Sequence, residues 1–215
     1  MISKVGVSLI SFRRSGTHFL HETLKLNFNL NYFNPTINHP AYSICTAKIV
    51  RLNSYPIYIY RDVRDVMKSL FNFFRLSRWY EWYNMDVDLS RMSFSDFLRG
   101  KVDTTNISCP HLRDLLLNPV KAWVDHTSWL NPLSMRGVEG PMFSVKYEDL
   151  LLSLDKEVQR ISEYLRKELK VACPIPCEKQ VAKIYSDDVI DYTYEDMNFL
   201  LDIAGDKLIE LGYKV

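Results

Sequence analysis

The chain has 215 residues, of which 47% are hydrophobic and 25% charged, the balance of a soluble globular protein long enough to build one core without disulfide or metal staples. Its 27 Lys and Arg nearly cancel 26 Asp and Glu, leaving a formal charge of +1. Global charge is thereby excluded as a means of holding nucleic acid or an anionic membrane, and any anion site has to come from locally gathered Arg and Lys.

Seven Gly and nine Pro, with no repeat or low-complexity run, predict a single domain over residues 1–215. The four cysteines (Cys45, Cys109, Cys173, Cys177) are scattered, with one C-x3-C pair and no second pair of metal-ligand spacing, so free thiols and no metal site are expected. The apolar run Val5–Ile10 is too short for a membrane span and is closed by Arg13 and Arg14, which predicts a buried strand. Reduced thiols and no signal-peptide pattern predict a cytoplasmic protein.

In chain order, Lys4–Ser11 reads as a strand, then comes a polar turn, and Thr17 to about Asn27 reads as a helix. Residues 28–56 read as loop, with Pro35, Pro40 and Pro56 breaking any long helix. Residues 56–60 form a second buried-type strand, and Asp62 is placed to cap the helix that carries Val63, Val66, Met67, Leu70, Phe73 and Phe74. Ser93-x-x-Asp96 signals another helix start and Gly100 its stop. A core helix is expected over Val120–Leu130 with Trp123 and Trp129, and a third strand over 141–147 leading into Glu148-Asp149. Two amphipathic helices follow, one through Val158, Ile161 and Leu165, the other through Met197, Leu200, Leu201, Ala204, Leu208 and Leu211. Short apolar strands alternating with helices predict an α/β fold with a parallel sheet covered on both faces.

The turn Ser11-Phe12-Arg13-Arg14-Ser15-Gly16-Thr17-His18 joins a strand to a helix start, where backbone N–H groups and the helix dipole attract anions. Gly16 allows close approach, Ser15 and Thr17 offer hydroxyls, and Arg14 offers a cationic fork. An ordinary capped turn with two exposed arginines is the plainer reading. The turn is not a Walker A loop, which needs Gly-Lys followed by Ser or Thr, whereas Thr17 and His18 follow Gly16 here. At the end of the second strand, Tyr60-Arg61-Asp62-Val63-Arg64-Asp65 leads to Ser69, eight residues past Arg61 and two helical turns along the next helix. Arg61 can fork a phosphate there.

These segments resemble the cytosolic-type sulfotransferases. Arg14-Ser15-Gly16-Thr17-His18-Phe19 falls on their K-S-G-T-T-W loop, residues 58–69 on their Y-x-x-R-[DN]-x-x-D-x-x-x-S segment, and Phe143–Leu150 resembles their F-x-x-Y-E-D-L strand end, with Tyr147-Glu148-Asp149-Leu150 on its Y-E-D-L and Phe143 one position further upstream. The resemblance implies a three-layer αβα fold with a central parallel sheet, of the P-loop-NTPase-like sulfotransferase type. It implies 3′-phosphoadenosine 5′-phosphosulfate (PAPS) as donor, its bisphosphate PAP as product, and no metal. Arg13, Arg14, Ser15, Gly16, Thr17 and His18 would hold the sulfuryl group and 5′-phosphate, Arg61 and Ser69 the 3′-phosphate, and Tyr147 would border the adenine. His39-Pro40 lies 22 residues before Arg61, the spacing of the family's histidine, which makes His39 the candidate general base. His18, inside the anion loop, is its rival.

The sequence departs from the family in three places. Arg14 replaces the usual Lys and cannot donate a proton, although it can stabilise developing charge. The R-K-G-x-x-G stretch that wraps the 3′-phosphate is absent from residues 173–215, and the segment between the first loop and His39 is short. Arg51, Arg64 and Lys68 are candidates for the missing cations.

The expected function is sulfuryl transfer to a hydroxyl or amine of a small-molecule acceptor, with no nucleic acid or membrane partner. Arg14 and His39 are its candidate catalytic residues. The aromatic run over residues 75–83 either lines an apolar or aromatic acceptor pocket or is buried as a core helix. Two other classes stay open: a P-loop-type kinase, which would depend on Mg²⁺, and a non-catalytic nucleotide-binding module.

Overall fold

The structure is a computed structural model and describes residues 6–30, 32–33, 54–76, 89, 91–107, 109–128, 142–170, 172–176 and 190–215. The chain divides into two compact units, residues 1–61 with 129–182 and residues 62–128 with 183–215.

The first unit holds the sheet. Strands β1 (Gly6–Ser11), β2 (Tyr32–Phe33), β3 (Ser54–Tyr60) and β4 (Phe143–Lys146) lie in the order β2-β1-β3-β4, and every pairing is parallel. In β1, Val7 and Leu9 share one face; so do Ile57 and Ile59 of β3 and Val145 of β4, as the two-residue side-chain period requires. That face forms one core with Leu20, Leu24 and Phe28 of and just after helix α1 (Thr17–Asn27), Leu150 of α6 (Tyr147–Leu152), and Val158, Ile161 and Leu165 of α7 (Leu154–Leu165). Ile10 and Tyr58 alternate to the other face and are buried as well. Burial on both faces explains why these strands read as continuous apolar runs.

Pro56 lies inside β3 rather than at its start. It is paired with Ser8 on the β1 side, and β4 begins alongside β3 only at Ile57. The Pro56 carbonyl accepts from the Tyr164 hydroxyl at 3.0 Å, so a side chain satisfies it at a position that has no partner in β4 among the described residues. Strand β2 falls in a stretch expected to be loop. Its described residues, Tyr32 and Phe33, pair with Gly6 and Val7, a run too short to leave a periodic signal.

The second unit is helical: α2 (Val63–Leu76), α3 (Phe94–Leu98), α4 (Pro110–Leu117), α5 (Pro119–Thr127) and α8 (Tyr194–Glu210). Val66, Met67, Leu70, Phe71 and Phe74 of α2 are buried, as are Phe97, Trp123, Leu200, Ala204 and Leu208 from the other helices. Asp62 caps α2 as expected, its Oδ1 accepting from the Arg64 backbone N–H at 2.8 Å. Ser93 caps α3, accepting from the Asp96 N–H. Gly100 ends it at φ +66°, where a Cβ would meet the Leu117 carbonyl oxygen at 1.7 Å. Helix α5 starts one residue before the expected Val120 and ends at Thr127; Trp129 and Leu130 lie outside the described residues. Among the described residues no helix is long and apolar enough to cross a membrane.

Candidate anion-binding site

In the first unit the chain leaves β1 for β2 on one side and reaches β3 on the other, so the connections part between β1 and β3. Ligands of open parallel sheets bind at such a switch point, outside the carboxyl ends of the strands. Three segments emerge from that edge, where Ser11 pairs with Ile59 and Tyr60 with Lys146: the turn Phe12–Gly16 after β1, Arg61 after β3, and Tyr147 after β4.

The turn is tightly built. The Ser15 N–H donates to the Phe12 carbonyl at 3.3 Å, Arg14 sits in the left-handed region at φ +66°, and Gly16 at φ +93°. A non-glycine residue in that region is uncommon and costs conformational energy, so the turn holds Arg14 in a conformation that an unconstrained chain would avoid. Helix α1 starts at Thr17 without a side-chain cap and with no acidic residue in its first turn, which leaves its positive end facing the turn.

The hydroxyls of the turn differ in their bonding. The Thr17 hydroxyl shares a short, buried hydrogen bond with the Ser11 hydroxyl. The Ser15 side chain is fully buried, and its Oγ has no hydrogen-bond partner among the described residues. A buried hydroxyl without a partner costs about 1–3 kcal/mol, and an anion oxygen seated on the turn would remove that cost. Arg13 is buried and Arg14 half-buried. His18 is exposed. Partial desolvation and the positive charge of Arg14 push its imidazole below the usual range, with Glu22 pulling the other way.

Tyr147 joins the other two segments. A Cβ placed on Gly16 would lie 2.2 Å from Tyr147 Cδ2 and 2.6 Å from its Cε2, so the ring edge rests where a side chain would be. The Arg61 guanidinium carbon stands 4.8 Å from the Tyr147 ring centroid, within cation–π range. Phe19 packs edge-on to the same ring at 6.1 Å and 81°. Phe19, the last position of the motif that begins at Arg14, thereby joins the site, a role that no local pattern signals.

Ser69 lies in the second unit, two turns into α2 and half-buried. Of the three candidate replacement cations, Arg64 is clasped by Asp62, with Nε at 2.9 Å from Oδ1 and Nη2 at 2.6 Å from Oδ2, and it also donates to the Lys214 carbonyl at 2.9 Å. Lys68 stands 3.8 Å from the Asp191 carboxylate and 5.2 Å over the Tyr192 ring. Arg51 lies outside the described residues, as do His39, Trp79 and Tyr83.

Known proteins carry the same architecture. The family profile described as "Sulfotransferase domain" matches residues 34–196, a range that includes His39, Arg61, Ser69 and Tyr147 and begins after the Phe12–Gly16 turn. No curated protein matches the chain in sequence. Among solved structures, a mouse sulfotransferase, SULT7A1, complexed with PAP, superposes with a TM-score of 0.54 at 16% identity, over 95% of this chain and 84% of that one. The fold is therefore the α/β sulfotransferase fold, and with most of its length matched by the family profile the chain belongs to the sulfotransferase-domain family.

Proposed function

We propose that the chain, as one domain over residues 1–215, is a sulfotransferase that moves a sulfuryl group from PAPS to a hydroxyl or amine of a small-molecule acceptor. The observation that carries this reading is the Phe12–Gly16 turn: a buried Ser15 hydroxyl without a partner among the described residues, an uncapped helix start and a strained Arg14, all on the sheet edge that also presents Arg61. These features suit a dianionic nucleotide phosphate better than a purely structural turn.

On this reading, backbone amides from Ser15 to His18, the Ser15 hydroxyl and the Arg13 and Arg14 side chains hold the 5′-phosphosulfate end, while Arg61 and Ser69 hold the 3′-phosphate. PAPS supplies an activated sulfuryl group on a good leaving phosphate. The protein contributes alignment of donor and acceptor and fixed positive charge at the bridging oxygen, where Arg14 acts without giving up a proton. His39 takes the proton released by the acceptor as the new S–O bond (S–N for an amine) forms and the bond from sulfur to the bridging phosphate oxygen breaks, with PAP as the leaving group.

Calorimetric titration of the purified protein with 3′,5′-adenosine bisphosphate tests the reading. Submicromolar binding, weakened at least tenfold by Arg61→Ala, is the expected result. Clear binding of ATP with Mg²⁺ and none of the bisphosphate overturns it in favour of a kinase. Bisphosphate binding followed by no sulfuryl transfer to any of a panel of phenols, alcohols and amines leaves a non-catalytic binding module.

A further inference from the structure

Tyr147 occupies an unusual position for a residue expected to border a base. One ring edge fills the space over Gly16, and a ring face carries the Arg61 guanidinium at 4.8 Å, with Phe19 fixing the ring edge-on. The ring thus touches the turn that follows β1 and the arginine that follows β3. We infer that Tyr147 is a positioning residue: it sets the Arg61 guanidinium for the 3′-phosphate and couples Arg61 to the Phe12–Gly16 turn, instead of recognising adenine. This rests on the proposed assignment of Arg61 to the 3′-phosphate.

Three observations support the assignment. Tyr147 is the first residue of α6, immediately after β4, so the strand register fixes where its ring emerges. Arg61 directly follows the neighbouring strand, whose last residue Tyr60 pairs with Lys146, which brings the two side chains side by side without any long loop. A guanidinium stacked on an aromatic face loses less rotamer freedom when it binds a phosphate, because its plane is already held. Gly16 is the third point of contact, and its lack of a side chain is what admits the ring edge.

The test compares two ligands that differ by the 3′-phosphate alone, 3′,5′-adenosine bisphosphate and adenosine 5′-phosphate, on wild type, Tyr147→Phe, Tyr147→Met and Arg61→Ala, with thermal melts confirming folding. Tyr147→Phe keeps the ring and should bind both ligands like wild type. Tyr147→Met keeps bulk but not the aromatic face; it should lose roughly tenfold for the bisphosphate and keep its affinity for the 5′-phosphate. The same change in the Arg61→Ala background should have no further effect on bisphosphate binding, since the arginine it positions is gone. Equal weakening of both ligands by Tyr147→Met means direct contact with the nucleoside and overturns the positioning role while the sulfotransferase reading stands. No effect on either ligand overturns it too. Failure of the wild type to bind the bisphosphate at all removes the assignment of Arg61 and the inference with it. Should Tyr147→Met not fold, Tyr147→Leu in the same comparison decides.

Discussion

The edge of the Tyr147 ring stands where a side chain on residue 16 would have to go, 2.2 Å from the position of a Cβ. Gly16 is also at φ +93°, so two independent constraints, a neighbour and a backbone conformation, both demand glycine there. Gly16→Ala is expected to cost about 2–3 kcal/mol, combining left-handed strain with displacement of the ring. For a chain of this size that is a fall in Tm of roughly 5–10 °C. Because the displaced ring carries Arg61, binding of 3′,5′-adenosine bisphosphate should weaken at least tenfold even at temperatures where the variant is folded. Calorimetry at 15 °C beside a thermal melt checks both.

Arg64 is the nearest cation in sequence to Arg61 on α2, but its guanidinium is already held by Asp62 and by the Lys214 carbonyl. Its hydrogen bonds to the Asp62 carboxylate hold its pKa above the ordinary value. Arg64→Ala is therefore expected to lower stability by about 1–2 kcal/mol through loss of charge-assisted hydrogen bonds. Its affinity for the bisphosphate should stay within twofold of wild type, in contrast to Arg61→Ala. Paired denaturation and titration curves of the two variants separate the roles. A tenfold loss of affinity in Arg64→Ala would mean that the phosphate takes Arg64 away from Asp62.

Much of this organisation was readable from the residues alone, for physical reasons that differ by segment. The first strand, turn and helix were legible because an apolar run, a Gly-Thr turn and a helix-period stretch each have a local cause; α1 spans the expected Thr17–Asn27. The Asp62 and Ser93 caps were legible for the same reason. Strand β2 was not, since two residues have no period and their pairing partner lies more than twenty positions earlier. Helix α4 was passed over although Pro110 sits at its first position, a recognised start signal. The capping box that opens α8, with the Thr193 side chain accepting from Asp196 N–H and Asp196 accepting from Thr193 N–H, could have been found from its T-x-x-D spacing. At the site, the turn and Arg61 were visible as motifs. The stacking of Arg61 on Tyr147 was not, because a contact across two strand ends depends on sheet order, which no local pattern encodes.

Asp196 does more than cap α8. It is almost fully buried, and Arg99 Nη1 donates to it at 2.5 Å while Ser95 Oγ lies 2.7 Å from both carboxylate oxygens. Burial alone would raise its pKa, but the bonds from Arg99, Ser95 and Thr193 together hold it below the usual carboxylate value. Removing one side of this hydrogen-bonded ion pair, in which Asp196 is buried and Arg99 half-buried, strands the other charge. Asp196→Ala is accordingly expected to cost about 3–5 kcal/mol, and Arg99→Ala nearly as much, with the double variant far less unstable than the sum. A double-mutant cycle by urea denaturation measures that coupling; additive losses would show that the contact contributes nothing.

His126, on the buried side of α5, gives the second unit a distinct response to acid. Desolvation by burial pulls its pKa down from 6.5 to about 3, so the folded chain holds the ring neutral. Between these values the unfolded chain binds a proton that the folded chain does not, and stability rises with pH there by up to about 1.4 kcal/mol per unit. The contribution is fully present above pH 6.5, falls as the pH drops below it, and stops falling only near pH 3. The carboxylate of Asp196 acts in the same direction at the acid end, since a depressed acid also loses its stabilising contribution as it protonates. Replacing His126 with Gln keeps a polar side chain that does not titrate. The slope of unfolding free energy between pH 6.5 and 4.5 should then drop by most of that 1.4 kcal/mol per unit, while the loss that belongs to Asp196, which sets in below its ordinary value of 3.8, remains. Urea unfolding curves at half-unit pH intervals on the two proteins read this directly. An unchanged slope above pH 4.5 would mean that the ring is protonated in the folded state, and so not held neutral in the core.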